Sequence, residues 1–275
     1  MDEILNDFSV RSLTTAIEAN LLKYYQYIGR SDNVELSDNP ELTRFYTGIP
    51  HPFMNGIFCK YLTSFIKIEE TLNLLKSRKV PFLWWIGSAA QSADLGTQLE
   101  AYGLVYDEDY ACMAADLLAL KEEFIPPAGL TIEPVSDKEI LEHWVNSALI
   151  GFGLPKNSGN VCFDLFASLG FDMPLRNYLG FMDGKPVATS QLFLAAGVAG
   201  IYWVTTIPEA RRQGLGMALT LAPLREARAM GYRIGVLHPS DMGRGVYRRL
   251  GFDDYGKLSH GLWLTKPNNE MNDRT

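Results

Sequence analysis

The sequence predicts an α/β protein with two mixed, twisted β-sheets, each flanked by helices. Short apolar runs rich in β-branched and aromatic residues alternate with segments of helical period, which favours mixed secondary structure. The two halves of the chain also repeat one another weakly, which indicates duplication. A length of 275 residues accommodates two domains, and 47% hydrophobic with 21% charged residues is an ordinary globular composition.

The first half begins with a predicted long helix over residues 1–30, because apolar side chains from Leu5 to Ile28 recur at helical spacing. Gly29 is a typical helix stop, and the polar segment 31–41 is predicted to be a loop. The remaining elements of this half are strands near 44–46 and 56–62, a helix near 68–77, and strands over 82–86 and 106–116.

The second half is more regular. A strand over 130–135 leads to a helix over 137–148, with Ser136 or Asp137 as its N-cap. Asp183-Gly184 between two apolar runs predicts a β-hairpin. The other expected elements are a helix over 161–169, strands over 177–182, 187–195 and 201–206, a helix over 217–230, a strand over 233–238, a helix over 243–250 and a closing strand pair up to 265.

A domain boundary is predicted where the sequence reads KEEFIPPAG, because two prolines and a glycine precede a fresh strand. We therefore expect a first domain over 1–122, a linker over 123–128, a second domain over 129–265 and a disordered polar tail over 266–275.

Composition excludes several functional classes. A net charge of −7 argues against nucleic-acid binding by the whole chain. Three scattered cysteines predict neither a disulfide framework nor a metal cluster, and the four histidines have no ligand spacing. The acidic N-terminus does not resemble a signal peptide, and no apolar run reaches the ~18 residues of a membrane span. We therefore expect a cytoplasmic protein without metal or membrane association.

The richest segment is Ile201 to Ala218, IYWVTTIPEARRQGLGMA. It combines a strand, a loop with two arginines and Gly214-Leu215-Gly216, and the start of a helix. Helix N-terminal N–H groups lack internal partners, and glycine allows an anion to approach the main chain closely. The segment therefore predicts an anion site.

The spacing Arg211-x-x-Gly214-x-Gly216 resembles the pyrophosphate loop of the GNAT superfamily of N-acetyltransferases. The resemblance implies acetyl-CoA as co-substrate, with main-chain N–H groups on the pyrophosphate and Arg211 or Arg212 adding charge. It also implies that the preceding strand pairs with the pantetheine arm and supplies a main-chain N–H to the thioester oxygen. The donor-binding residues it implies are Trp203, Val204, Thr205, Thr206, Arg211, Arg212, Gln213, Gly214, Leu215, Gly216, Met217, Ala218 and Ser240.

Further along, Ser240, Tyr247 and Gly251-Phe252 are similar to the second signature of that superfamily. The resemblance places Tyr247 as the general acid that protonates the departing thiolate. Nearby arginines at 244, 248 and 249 are expected to form a basic rim. The general base stays open among Asp172, Asp183, Glu209 and His238, and the acceptor pocket is expected around Phe152, Phe163, Phe166 and Trp203, with the turn 151–159 as a mobile loop.

The repeat predicts that the first half has lost this chemistry. Ser92 precedes Gly103 by 11 residues, the same interval that separates Ser240 from Gly251. The first half nevertheless has no arginine pair or Gly-x-Gly after its strand, and Leu99 occupies the register position of Tyr247. A degenerate first domain and an active second domain follow from this comparison.

We therefore expect an enzyme that transfers an acetyl group to a primary amine of a small molecule, an amino acid or a peptide. One alternative is a glycine N-acyltransferase-like enzyme that uses a longer acyl-CoA. Another is a non-catalytic module that binds or senses acyl-CoA.

Overall fold

The computed structural model describes residues 2–61, 65–92 and 94–265, without the side chains of 65–67. The helices are Val10–Ile28 (α1), Phe65–Ser77 (α2), Leu95–Ala101 (α3), Lys138–Phe152 (α4), Gly159–Leu169 (α5), Leu215–Ala229 (α6) and Asp241–Leu250 (α7). The strands are Glu35–Asp38 (β1), Leu42–Tyr46 (β2), Asn55–Cys59 (β3), Phe82–Ile86 (β4), Val105–Asp116 (β5), Leu130–Pro134 (β6), Leu175–Met182 (β7), Lys185–Ala195 (β8), Val198–Thr206 (β9), Ile234–Leu237 (β10) and Asp253–Trp263 (β11).

The predicted mixed α/β class is confirmed, and most elements lie where the sequence predicts them. The hairpin turn forms with Asp183 and Gly184 both at positive φ, 49° and 76°, as a primed turn requires. Asp137 is the N-cap of α4, and its carboxylate accepts a hydrogen bond from the Ile140 N–H at 2.9 Å. Within the described ranges, no helix is both long and apolar enough to cross a membrane.

Three local predictions were wrong. The first helix begins at Val10 and not at residue 1, because Ser9 caps it and accepts a hydrogen bond from the Ser12 N–H. The predicted loop 31–41 contains β1, an edge strand that pairs antiparallel with β2. The predicted closing strand pair is one strand, β11. The tail 266–275 lies outside the described residues.

The chain forms two compact units, and each combines segments that are distant in sequence. The larger unit contains the chain up to Ser31 together with Ala111–Lys257. The smaller unit contains Asp32–Tyr110 and the chain from Leu258 onward. These groupings follow tertiary contacts, and the domain limits at 122 and 129 stay a prediction.

In the larger unit the strand order is β5-β10-β9-β8-β7-β6. Only β9 and β10 run parallel in this part of the described structure. Helix α6 covers one face, where its Leu219 joins a core with Leu192 and Ile201. The pleat turns Phe193 to the opposite face, where it meets Tyr24 of α1. Helices α4 and α5 cover the same face as α1, since Trp144 and Phe166 contact Trp203.

The smaller unit has the strand order β1-β2-β3-β4-β11. Strands β3 and β4 run parallel, and residues 259–263 of β11 complete the sheet antiparallel to β4. In the same way, residues 113–116 of β5 complete the sheet of the larger unit beside β10. Each sheet therefore takes one strand from the other half of the chain.

The predicted linker 123–128 lies along α6. The carboxylate of Glu122, just before it, accepts hydrogen bonds from Arg225 at 2.9 Å and Arg228 at 2.6 Å. The Phe124 ring lies so close to Gly214 that a Cβ there would come within 2.9 Å of it. Phe124 of this segment therefore packs against the loop that precedes α6.

Candidate functional site

The loop between β9 and α6 contains main-chain N–H groups that lack an acceptor in the described part of the chain. Arg212 and Gly214 both adopt positive φ, 63° and 83°, and Gly214 is the N-cap of α6. No acceptor among the described residues bonds to the N–H groups of Gln213, Gly214, Leu215 or Gly216. A Cβ at Gly216 would meet open space. This geometry fits an anion such as a pyrophosphate.

The two arginines of this loop differ in their contacts. Arg211 donates from Nη2 to the Gly151 carbonyl at 2.9 Å and from Nε to the Thr206 carbonyl at 3.1 Å. It therefore ties the end of α4 to the end of β9. Arg212 is exposed. Of the pair, Arg212 has the side chain that can turn toward a bound anion without breaking these bonds.

Strands β9 and β10 separate before β9 ends. Their register runs through Gly235↔Ala199 and Val236↔Gly200 and ends, among the described residues, at Leu237↔Ile201. Pro239, just beyond β10, has no N–H to continue the ladder. Residues 202–206 therefore have no strand partner on the β10 side in the described part of the chain, as the resemblance implies for the pantetheine strand.

A β-bulge at Trp203 accompanies this separation. The pairing of β8 with β9 shifts from Thr189↔Thr205 to Gln191↔Tyr202. Trp203 has a φ of 50°, and its carbonyl accepts a hydrogen bond from the Thr189 hydroxyl at 2.8 Å. A bulge redirects main-chain groups locally. This bulge lies just after the last residue of β9 that pairs with β10. The sequence contains no direct signal for it.

The Trp203 indole is surrounded by aromatic rings. Trp144, Phe152 and Phe166 each lie with ring centroids 5.4 Å from it, tilted or edge-on. Two of the predicted acceptor-pocket residues, Phe152 and Phe166, thus meet at Trp203. Phe166 is 1% exposed and belongs to the core, whereas Phe152 is 39% exposed. Phe163 is half-buried on α5.

Tyr247 lies on α7, which follows β10 directly. Ser240 caps this helix and accepts a hydrogen bond from the Gly243 N–H at 3.2 Å. Gly243 leaves space for the tyrosine ring, since a Cβ there would come within 2.9 Å of it. Burial raises the pKa of Tyr247 to about 12, so its hydroxyl stays protonated at neutral pH.

The four candidate bases differ in environment. Asp172, Asp183 and Glu209 are exposed. His238 follows β10 directly, and its Nδ1 lies 3.3 Å from the Ala111 carbonyl. Burial lowers the pKa of His238 to about 4, an effect that the contact with this carbonyl opposes. His238 is therefore neutral near pH 7 and a weak base.

The expected basic rim is only partly neutralised, because a single carboxylate, that of Asp254, pairs with two of its three arginines. Arg244 and Arg248 both pair with Asp254, at 2.7 and 2.5 Å. Arg249 is exposed. In the part of the chain that the structure describes, no cluster of three or more His, Cys, Asp or Glu side chains could hold a metal ion.

Among its described residues, the smaller unit has no equivalent separation of its parallel strands. Its pairing continues through Phe58↔Trp85 to Cys59↔Ile86, and the Gly87 N–H donates to the Cys59 carbonyl at 2.8 Å. When the repeat is aligned with Gly56 on Gly200, these two residue pairs lie where β9 and β10 have already separated in the larger unit. Leu99, in the register of Tyr247, is fully buried. The counterpart of the phosphate loop falls on 60–64, partly outside the described residues.

Residues 195–254 match the model of the acetyltransferase (GNAT) domain. This match covers β9, the phosphate loop, α6, β10 and α7. Among curated proteins, none matches the sequence significantly.

Solved structures resemble the chain over most of its length. A GCN5-related N-acetyltransferase from Kribbella flavida has a TM-score of 0.63 at 21% identity, over 91% of this chain and 95% of that one. One from Sphaerobacter thermophilus has a TM-score of 0.57 at 15% identity, over 93% of each chain. A tandem GNAT protein from the clavulanic acid biosynthesis pathway has a TM-score of 0.55 at 13% identity, over 97% of this chain and 98% of that one. Residues 195–254 are therefore similar to the acetyltransferase (GNAT) domain, in a chain with the fold of GCN5-related N-acetyltransferases and of a tandem GNAT protein.

Proposed function

We propose that the chain transfers an acetyl group from acetyl-CoA to a primary amine, and that the larger unit performs the reaction. The observation that supports the proposal is that β9 loses its β10 partner after Ile201, and that the loop following β9 contains N–H groups at 213–216 without an acceptor among the described residues. An extended amide chain ending in a pyrophosphate is complementary to this arrangement.

In the proposed complex the pyrophosphate lies on the N–H groups at the start of α6. Arg212 adds a charge-assisted contact, and Arg211 holds the loop in place through the Gly151 and Thr206 carbonyls. The pantetheine amides pair with the open edge of β9. Met217 and Ala218, which the resemblance also implies, instead donate their N–H groups to the Gly214 carbonyl, and Ala218 is buried in the core, so neither N–H is free for the anion.

The proposed chemistry is direct attack of the amine nitrogen on the thioester carbonyl. A main-chain N–H of the Trp203 bulge stabilises the negative charge that develops on the carbonyl oxygen. When the intermediate collapses, the C–S bond breaks and Tyr247 donates its hydroxyl proton to the departing thiolate. The extra proton on the attacking nitrogen leaves to water, and water returns a proton to the Tyr247 phenolate. The raised pKa of Tyr247 keeps that proton available across the neutral range.

The environment of His238 bears on the acceptor. A histidine with a pKa near 4 removes a proton from an ammonium group poorly. We therefore infer an acceptor amine that loses its proton to water before attack, with activity that rises toward alkaline pH. A small amine, an amino acid and a peptide N-terminus can each lose a proton to water in this way, so all three stay candidates. We propose that the reaction takes place in the cytoplasm.

The first experiment measures thermal unfolding with increasing acetyl-CoA. A rise in Tm that grows with ligand concentration is expected, because the ligand binds the folded state. An amine screen with detection of free thiol follows, on wild type and on Tyr247→Phe. The phenylalanine variant should retain acetyl-CoA binding and lose at least tenfold in kcat, a typical loss for a general acid.

Other results would favour the alternatives. Preference for longer acyl-CoAs, with glycine as acceptor, would indicate a glycine N-acyltransferase-like enzyme. If acetyl-CoA binds but no amine in the screen causes release of free thiol, and Tyr247→Phe has no effect, the chain is a binding or sensing module. The absence of a Tm shift with acetyl-CoA, longer acyl-CoAs and free coenzyme A would refute the donor site.

A further inference from the structure

Helix α1 packs on the strand that carries the proposed acyl site, although it lies far from residues 195–254 in sequence. It belongs to the larger unit and covers β8 and β9 beside α5. Two of its side chains, Asn20 and Tyr24, lie one turn apart and reach residues at the bulge. This contact gives the N-terminal segment a role that the domain match does not include.

Asn20 is fully buried, and both the nitrogen and the oxygen of its side-chain amide form hydrogen bonds. Its Nδ2 donates to the Ala195 carbonyl at 2.9 Å and to the Phe193 carbonyl at 3.4 Å, at the end of β8. Its Oδ1 accepts a hydrogen bond from the Tyr202 hydroxyl at 2.7 Å. A Cβ at Gly200 would come within 2.1 Å of that oxygen, so glycine at this position makes room for the asparagine.

Tyr24 contacts the two residues at the start of the bulge. Its ring stacks on Tyr202 with centroids 4.2 Å apart and planes inclined by 10°. Its hydroxyl accepts a hydrogen bond from the Trp203 indole Nε1 at 2.8 Å. Tyr24 is 3% exposed, so this bond is shielded from water.

The bulge needs such support because Trp203 adopts a left-handed conformation, with φ at 50°. A bulky residue in that region is strained and persists only where its surroundings hold it. The Thr189 hydroxyl holds its carbonyl and three aromatic rings surround its indole. Tyr24 accepts the hydrogen bond from the indole Nε1, which fixes the side-chain torsion angles of Trp203.

We propose that Asn20 and Tyr24 are positioning residues for acetyl transfer, which hold the Trp203 bulge so that its main-chain N–H faces the thioester oxygen. The inference rests on the proposed function, since it is that function which places the acyl group at the bulge. It makes α1 part of the catalytic unit, although the pyrophosphate loop lies in the opposite half of the chain.

The test compares Tyr24→Phe with Tyr27→Phe in the full-length protein. The first variant keeps the stacked ring and removes the hydroxyl that accepts the indole hydrogen bond. The second removes a hydroxyl from the same helix, one turn further on, where the ring meets Phe193 and Arg30. Four quantities are measured for each: Tm, the Kd for acetyl-CoA, kcat for thiol release, and the NMR position of the Trp203 indole N–H.

For Tyr24→Phe we expect the Trp203 indole resonance to move and kcat to fall about five- to tenfold, as for the loss of one buried hydrogen bond in the transition state. The Kd for acetyl-CoA should stay within about twofold of wild type, because the pyrophosphate loop is untouched. Tyr27→Phe should resemble wild type in all four measurements.

A double-mutant cycle separates positioning from general stabilisation. Trp203→Phe removes the indole N–H, so in that background Tyr24→Phe should cause little further loss of kcat. Additive losses in the cycle, or an unchanged kcat in Tyr24→Phe despite a moved indole resonance, would overturn the inference. The proposed function fails differently, through a wild-type protein that neither binds acetyl-CoA nor releases thiol.

Discussion

Arg211 and Arg212 are adjacent in the phosphate loop, and the structure predicts opposite consequences for their removal. Arg211 bonds to two main-chain carbonyls, those of Gly151 and Thr206, and thereby joins α4 to β9. Arg212 is exposed at the loop surface. We expect Arg211→Ala to reduce stability and Arg212→Ala to reduce donor affinity.

The size of the stability effect follows from the two hydrogen bonds of Arg211. A bond from a charged group contributes about 1.5–3 kcal/mol when shielded from water. The bond to Gly151 is partly buried and the bond to Thr206 is exposed, so we expect a total loss of about 1–2 kcal/mol in the free energy of unfolding. This corresponds to a fall in Tm of roughly 2–8 °C, whereas Arg212→Ala should change Tm by about 1–2 °C at most.

The affinity for acetyl-CoA should be reduced more by Arg212→Ala than by Arg211→Ala, the reverse of the order expected for stability. Arg212→Ala removes a solvated cation near the pyrophosphate, which should raise the Kd for acetyl-CoA about fivefold at low salt. The ratio to wild type should approach one at high salt, because salt screens an exposed charge. Any weakening in Arg211→Ala should depend less on salt, since part of it arises from a displaced loop.

Differential scanning fluorimetry gives the Tm values, and isothermal titration calorimetry at low and high salt gives the Kd values. An unchanged Tm in Arg211→Ala would refute the assignment of its two hydrogen bonds. A salt-sensitive loss of affinity in Arg211→Ala, combined with none in Arg212→Ala, would show that the arginines have exchanged roles.

The other predictions concern α7 and the end of β10. Gly243→Ala should lower kcat several-fold with little change in the Kd for acetyl-CoA, because its Cβ would press on the Tyr247 ring at 2.9 Å. Gly245→Ala, where a Cβ meets open space on the same helix, is the control, and it should raise stability by about 0.5–1 kcal/mol. Because the folded-state pKa of His238 lies near 4, below its ordinary 6.5, it contributes stability above pH 6.5 that is lost as pH falls toward 4. His238→Asn should flatten that part of a chemical-denaturation pH profile by roughly 1–3 kcal/mol, and an unchanged profile would contradict the shift.

Local sequence patterns predicted the elements that carry the proposed donor site. The strand, glycine loop and helix of residues 201–230 are adjacent in the chain, so their order alone places helix N–H groups beyond the end of a strand. Asp183-Gly184 predicted its hairpin for the same reason, since the conformations that the turn requires belong to those two residues.

Elements defined by non-local contacts were missed. The strand Glu35–Asp38 has a polar sequence and forms because β2 offers an unpaired edge. The bulge at Trp203 arises from a shift in register against β8, and no residue pattern within β9 announces it. The partners of Arg211, one of them 60 residues away at Gly151, depend on how α4 packs against β9.

The sequence by itself determined the α/β class, the loop between β9 and α6 and the helix that carries Tyr247, because each depends on residues that are neighbours in the chain. Only the tertiary structure decided that α1 packs on β8 and β9 of the larger unit, that β5 and β11 each complete the sheet of the other half, and that β9 separates from β10 after Ile201. These features are strand pairings and side-chain contacts between distant segments. Their free energy depends on which surfaces meet after the chain has folded, and periodicity along the sequence contains no information on that choice.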